Sequence, residues 1–250
     1  SIMTEADYCD ENITLKDSSG NDIPNQKRYT CNGFVNPEKT SFDIINELLS
    51  SCRGALVSPN DKFKLVIDKP TNSVFTFDET NIVGAWNISG AGVRQRKNKI
   101  VSRFFDTNNN YDEGVLITTS TGSTNFYADD NYRTLQADLS FPFTNEITRV
   151  DILAQHFLKQ SRLNWKVSFT ATMDCLKVEA MDLIGIKHPV VGWDGFTNGK
   201  LFRVNTVELL SEDTVKITAE EYDTSVYTFD VNTPPASPTT NLPDPQSALP

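Results

Sequence analysis

Apolar residues recur every three or four positions in two stretches of this chain and every second position in several others. In the first helical stretch, residues 41–53, Phe42, Ile45, Leu48, Leu49 and Cys52 share one face of a 3.6-residue period. Thr40 with Asp43 has the form of a capping pair with a shorter acid than usual, and Gly54 fits the C-terminal stop. The second stretch predicts one long helix near 145–163. Ile147, Val150, Leu153, Ala154, Phe157, Leu158 and Ser161 line its face. Thr144 is placed to cap it, Glu146 stands in the first turn, and Lys159 and Arg162 lie near the end, where the helix dipole favours cations.

Strand-like alternation runs through Lys62 to Asp68, with Phe63, Leu65 and Ile67 on one side, and through Trp165, Val167 and Phe169. Phe202 with Val204, and Val215 with Ile217, repeat it. Ile100 to Phe105 and Gly114 to Thr119 read as antiparallel strands joined by the polar run Asp106 to Glu113. Residues 4–30 are polar, with a turn at Ser18-Ser19-Gly20-Asn21-Asp22, and suggest a hairpin or arm leading into a short strand at Arg28 to Cys31. Gly192 to Gly199 is a turn-rich loop carrying Trp193 and Phe196.

The predicted fold is therefore α+β and β-rich: a small helix-plus-strands unit and a β-barrel-like unit. The division is an α+β domain with an N-terminal arm over 1–75 and a barrel-like domain with the long helix over 76–232. A proline-rich linker or tail follows over 233–250, which holds six of the twelve prolines.

Composition narrows the function. With 23 basic and 33 acidic residues the net charge is −10, the opposite of a nucleic-acid footprint. No run of roughly 18 apolar residues predicts a membrane span, and no basic-then-apolar leader is present. Met3 just behind Ser1 suggests a piece of a longer protein. The four cysteines, Cys9, Cys31, Cys52 and Cys175, contain no C-x-x-C pair, which argues against a zinc or cluster site. Cys9 and Cys31 flank a turn-rich segment and are expected near one another.

Candidate chemistry is thin. Asp106-Thr107-Asn108-Asn109-Asn110-Tyr111-Asp112 places oxygen side chains at alternate positions, as a calcium loop does. Yet Tyr111 stands where the turn needs glycine and Ile117 where a bidentate Glu belongs, so a solvated hairpin loop is expected. The two histidines, His156 and His188, lack a nucleophile-elbow context, although His188 and Cys175 could meet in space. Glu220 and Glu221 are adjacent and point to opposite faces of a strand, so they are no glycosidase pair. Gly90-Ala91-Gly92 lacks the third glycine of a dinucleotide loop. Arg94, Arg96, Lys97 and Lys99 form a basic cluster, read as an exposed or salt-bridging turn or, more sharply, as a contact for an acidic neighbouring subunit. Trp86, Trp165 and Trp193 suit a core or a carbohydrate platform. Trp193 and Phe196 are the weak binding candidates because of their glycine-rich loop. No catalytic residue, metal or cofactor is expected.

Several phrases carry a resemblance. They are Tyr8-Cys9-Asp10-Glu11, Arg28 to Gly33, Cys52-Arg53-Gly54-Ala55, Asn81-Ile82-Val83-Gly84, Arg94 to Phe105, Phe141-Pro142-Phe143-Thr144 and Leu201 to Tyr222. In this order, across most of residues 5–227, they resemble the tail tip attachment protein (protein J) family of lambda-like siphophages. The resemblance implies a hub-like, non-enzymatic virion component at the tail tip, assembled in the bacterial cytoplasm, where free thiols are the default. It implies a homotrimer with an acidic channel, touching distal tail, tape measure and tip proteins. Host-receptor contact would belong to C-terminal domains that this chain lacks. The alternative reading is a receptor- or carbohydrate-binding module of a phage tail.

Overall fold

The computed structural model describes residues 2–229 apart from 17–20, 59–62, 91, 93–94, 108–109, 121–124 and 211–212. The turn at 18–20, Arg94, Asn108 and Asn109, and the proline-rich stretch over 233–250 lie outside the described residues. The fold is α+β and rich in strand, with one sheet curled into a half-barrel.

The chain opens with helix α1 (Ile2–Cys9) and a two-stranded ribbon, β1 (Asn12–Lys16) and β2 (Asp22–Lys27). Pattern reading finds the hairpin and misses α1, because this helix buries none of its own residues. It docks through Glu5, whose Oε2 accepts from the Ile67 backbone N–H at 3.1 Å and whose Oε1 pairs with Lys69 at 3.0 Å, and through half-buried Tyr8 and Cys9 at its end, which pack against the core. The expected strand at Arg28 to Cys31 is absent; the ribbon ends at Lys27. Here Tyr29 turns into the core, Arg28 pairs with Glu11, and the Thr30 hydroxyl accepts from Arg149.

Helix α2 (Ser41–Ser50) begins as anticipated, with the Thr40 hydroxyl accepting from the Asp43 N–H at 3.2 Å. Its stop is not Gly54. The left-handed residue is Arg53, at φ 56°, and Gly54 already starts strand β3 (Gly54–Val57). A Cβ there would lie 2.9 Å from Leu49 Cδ2, the movable end of a side chain, so glycine suits the position without being required by it. Strand β3 pairs with β4 (Lys64–Ile67).

The main sheet has six strands: β5 (Phe75–Phe77), β6 (Ile82–Gly90), β10 (Trp165–Thr172), β11 (Leu183–Ile186), β12 (Lys200–Leu209) and β13 (Thr214–Glu221). Their order is β5-β11-β12-β13-β10-β6, antiparallel except for the parallel β5–β11 pair. Strand β5 lies across the 75/76 position and joins this sheet. Inward positions alternate as the period-2 text requires, so Phe77, Val167, Phe169, Phe202, Val204, Val215 and Ile217 form one core. Bulges between Ser168 and Thr170 and between Val204 and Thr206 bend the strands into the curl.

A three-stranded sheet in the order β8-β7-β9 carries the second core. It comprises β7 (Lys99–Asp106), β8 (Asp112–Thr119) and, after the short helix α3 (Phe126–Asp129), β9 (Gln136–Phe141). Strands β7 and β8 are antiparallel, and β9 runs parallel to β7. Helix α4 (Ile147–Gln160) packs on this sheet through Val150, Leu153, Ala154 and Leu158. Its cap differs from expectation. Glu146 is the N-cap residue and makes no capping bond, its carboxylate pairing with Arg149. The Thr144 hydroxyl is buried without a partner, because the Phe141 to Thr144 turn packs into the core before the helix begins. Phe157 stands partly out of the helix face, while Arg149, Gln155 and His156 are buried beside the apolar residues.

Candidate functional site

The strongest concentration of buried charge lies where β4, α4, β12 and the 3-10 turn Thr224–Tyr227 meet. Asp68, the residue after β4, is at its centre. Its Oδ1 accepts from Arg203 Nη2 at 2.9 Å and from the Tyr227 hydroxyl at 2.5 Å. Its Oδ2 lies 3.2 Å from His156 Nε2, in ion-pair range though not aligned for a full hydrogen bond. Arg203 also donates to the Met181 carbonyl at 3.0 Å and to the Lys69 carbonyl at 3.0 Å, and stacks over Tyr222. Strand alternation explains its aim: Phe202 and Val204 face the half-barrel core, so Arg203 must face the other way, toward Asp68.

Burial alone would raise the Asp68 carboxyl. His156, Arg203 and Tyr227 together outweigh it and hold the group below the usual carboxylate range. His156 moves down as well: burial is the largest influence, Arg53 and Arg203 add to it, and Asp68 opposes it. The Tyr227 hydroxyl is pushed up, first by burial and then by the Asp68 charge. A cavity of about 120 Å3 borders this cluster. A more open cleft of about 390 Å3 lies between Arg53, Phe141, His156 and Phe157. Chemically, Asp68 is held by two hydrogen bonds at Oδ1 and the His156 contact at Oδ2. It serves as a tie between elements, not as a free general base.

Arg53 adds a second oddity. All three guanidinium nitrogens are buried without a hydrogen-bond partner, and the group lies over the rings of Tyr29, Tyr227 and Phe229 at 5.2–5.8 Å. Pattern reading singled out the phrases containing Arg53 and Arg203 without giving either a role. A charged residue inside an alternating apolar strand is the signal that marks Arg203; nothing local marks Asp68, its partner 135 positions away.

The residues weighed from sequence are scattered. Trp193 is 6% exposed and sits in the half-barrel core against Phe202 and Trp165, while Phe196 in the same loop is 55% exposed. Trp86 is half-buried against Phe169 and His188. His188 Nδ1 accepts from the Val190 N–H, and the Cys175 thiol donates to the Thr172 carbonyl, so each is engaged elsewhere. Glu220 pairs with Lys166 and Glu221 with Lys200. Asp106 and Asp112 pair at the ends of β7 and β8, and Asn110 and Tyr111 between them are both at positive φ. In the basic cluster Arg96 donates to Asn164. Cys9 faces Cys52, not Cys31 as its sequence position suggested. All four thiols are free. Among the described residues no cluster of three or more His, Cys, Asp or Glu could hold a metal ion, and no helix is long and apolar enough to cross a membrane.

The second candidate is a surface. Helix α2 has a clear apolar face yet buries no residue: Phe42 is 65% exposed, and Ile45 is also exposed. Just before it, Phe34 is 96% exposed and Val35 is exposed too. Four large apolar side chains within residues 34–45 thus face solvent, a concentration that marks interaction surfaces.

No protein-family model matches the chain. Among solved structures, a chain from the "Virion of native gene transfer agent (GTA) particle" is similar over 78% of this chain and 42% of its own length, with a TM-score of 0.62 at 8% identity. The 43 kDa tail protein of prophage MuSo2 from Shewanella oneidensis is 11% identical over 84% of this chain and 60% of its own, with a TM-score of 0.47. The prophage tail protein gp18 from Listeria monocytogenes EGD-e is 12% identical over 87% and 69%, with a TM-score of 0.39. The chain thus spans less than half the length of the virion protein whose fold it shares.

Proposed function

We propose that this chain is a structural component of a bacteriophage tail, the hub of a tail tip related to the protein J family, and that it works by assembly rather than by catalysis. The fold that 78% of this chain shares with part of a virion chain is the observation that carries the reading. The exposed α2 face and the Asp68 cluster support it, the first as a surface that assembly would cover, the second as polar chemistry spent on rigidity. On this reading the chain forms a homotrimer. Its neighbours are distal tail, tape measure and tip proteins, its place is the virion tail tip, and its acidic surface repels DNA passing the channel. Receptor contact falls to domains beyond this chain.

The test is mass in solution by light scattering after gel filtration, for the wild type and for Phe42→Asp with Ile45→Asp. A concentration-dependent trimer that the double variant converts to a folded monomer supports the reading. A wild type that stays monomeric at high protein concentration, or binding of the monomer to glycans that Phe196→Ala abolishes, overturns it in favour of a peripheral binding module.

A further inference from the structure

Cys9 ends α1, and Cys52 lies in the turn that follows α2. Forty-odd residues apart in sequence, they pack against one core cluster formed by Tyr29, Phe104, Leu116, Phe141, Val150 and Leu153. The two side chains meet there, and Cys52 Sγ also donates to the Leu49 carbonyl at 3.4 Å. Both are only partly buried, so small reagents can reach the pair. We propose that Cys9 and Cys52 are an oxidisable thiol pair, a modification site at which a disulfide bolts α1 to the α2–β3 turn.

The contact with Cys52 pulls the Cys9 thiol below its ordinary value, and Lys69 adds to this. The same contact, with burial, pushes Cys52 up. Either thiol can open the exchange; with Cys9 as the attacking thiolate, Cys52 is the resolving thiol. With a low-molecular-weight disulfide such as oxidised glutathione as oxidant, the Cys9 thiolate attacks one sulfur. The reagent's S–S bond breaks, one glutathione thiolate leaves, and a mixed disulfide forms. Cys52 then gives its proton to water and attacks Cys9 Sγ, expelling the second glutathione thiolate. Two protein thiols are oxidised and one reagent disulfide is reduced to two thiols, so atoms and electrons balance.

The cross-link has something to hold. Helix α1 buries none of its own residues and is tied to β4 by Glu5. Among the other cysteines, exposed Cys31 lies near enough for its charge to act on Cys52, which makes it the competitor. Cys175 is buried and bonded elsewhere. The chemistry does not depend on the chain's role in a virion.

The experiment equilibrates the purified chain with mixtures of reduced and oxidised glutathione. It blocks remaining thiols and maps linked peptides by mass spectrometry without reduction. The expected result is loss of two of the four free thiols and a Cys9–Cys52 linked peptide. The link should persist in Cys31→Ser and disappear in Cys9→Ser and Cys52→Ser, each checked for fold by circular dichroism. A link through Cys31 that survives Cys9→Ser, or no linked peptide even in fully oxidised glutathione, overturns the proposal. The peptide map of the unsubstituted chain shows by itself whether Cys9 and Cys52 are joined, so the test holds even where a serine variant fails to fold.

Discussion

Arg203 reaches Asp68, two backbone carbonyls and the Tyr227 hydroxyl from the middle of a strand, and this makes it the residue whose loss the molecule should feel most. Removing one partner of such a nearly buried pair leaves the other charge unpaired, at a cost of about 3–5 kcal/mol. Asp68→Asn should therefore lower the urea midpoint sharply, whereas Glu113→Gln, which breaks the exposed Arg103–Glu113 pair, should change stability by no more than about 1 kcal/mol. Equal effects of the two substitutions in equilibrium unfolding would refute this ranking. The pH dependence follows with a definite sign. His156 is held below its ordinary value of 6.5, so the unfolded chain binds that proton first as pH falls. Stability is then full above 6.5 and declines below it. Asp68, held below 3.8, adds a second acid-side loss as pH falls through its folded value. Urea titrations should show stability dropping from pH 7 to pH 5 in the wild type, and a flatter profile over that interval in His156→Gln. The alternation of Leu201 to Asn205 foretells that Arg203 points away from Phe202. It cannot foretell Asp68, because a pairing across 135 positions leaves no local trace.

Elements that bury an apolar face are legible in the sequence, and those held by polar contacts are not. Helix α4 and strands β7, β8, β10, β12 and β13 follow the 3.6 and 2 periods, since hydrophobic burial chose them, while α2 keeps the helical period with its apolar face exposed. Helix α1 escapes because only Tyr8 and Cys9 at its end reach the core, and Glu5 ties down the rest. The α4 cap departs from its pattern because Thr144 is drawn into the core by its neighbours. The Gly54 stop misleads because a glycine that opens a strand looks the same in sequence as one needed for a left-handed turn, which here is made by Arg53. Strand β11 supplies a sharper case. A Cβ on Gly185 would lie 1.8 Å from the Asn198 carbonyl oxygen, a backbone atom that cannot swing aside. Gly185→Ala should therefore push the Gly192 to Gly199 loop off the sheet edge, at about 3 kcal/mol or more. The expected readout is a lower unfolding midpoint together with a red-shifted emission from Trp193, which that loop carries into the core. An unchanged midpoint and spectrum would mean that the loop yields without cost.

At the scale of the whole molecule, two sheets fold within the stretch read as one barrel-like unit, one nested inside the other. The six-stranded half-barrel draws strands from β5 to β13, with the three-stranded sheet and α4 inserted between β6 and β10. Such nesting needs long-range pairing, which period and composition do not encode. Charge then decides between two modes of assembly. A chain of net −10 repels its own copies, and that repulsion weakens as salt shortens the screening length from about 30 Å at 0.01 M to about 8 Å at 0.15 M. If the apolar face of α2, with Phe34 and Val35, makes the contact, added salt removes repulsion and leaves the attraction intact. Association should then tighten from low to physiological ionic strength. If instead the basic cluster with Arg96 and Lys97 grips an acidic face of the next copy, the same salt screens the attraction and association should loosen. Light scattering of the wild type across that salt range, with Arg96→Ala alongside Phe42→Asp, separates the two. Tightening with salt, lost in Phe42→Asp and kept in Arg96→Ala, is the outcome expected here. The reverse pattern would move the interface to the turn between β6 and β7.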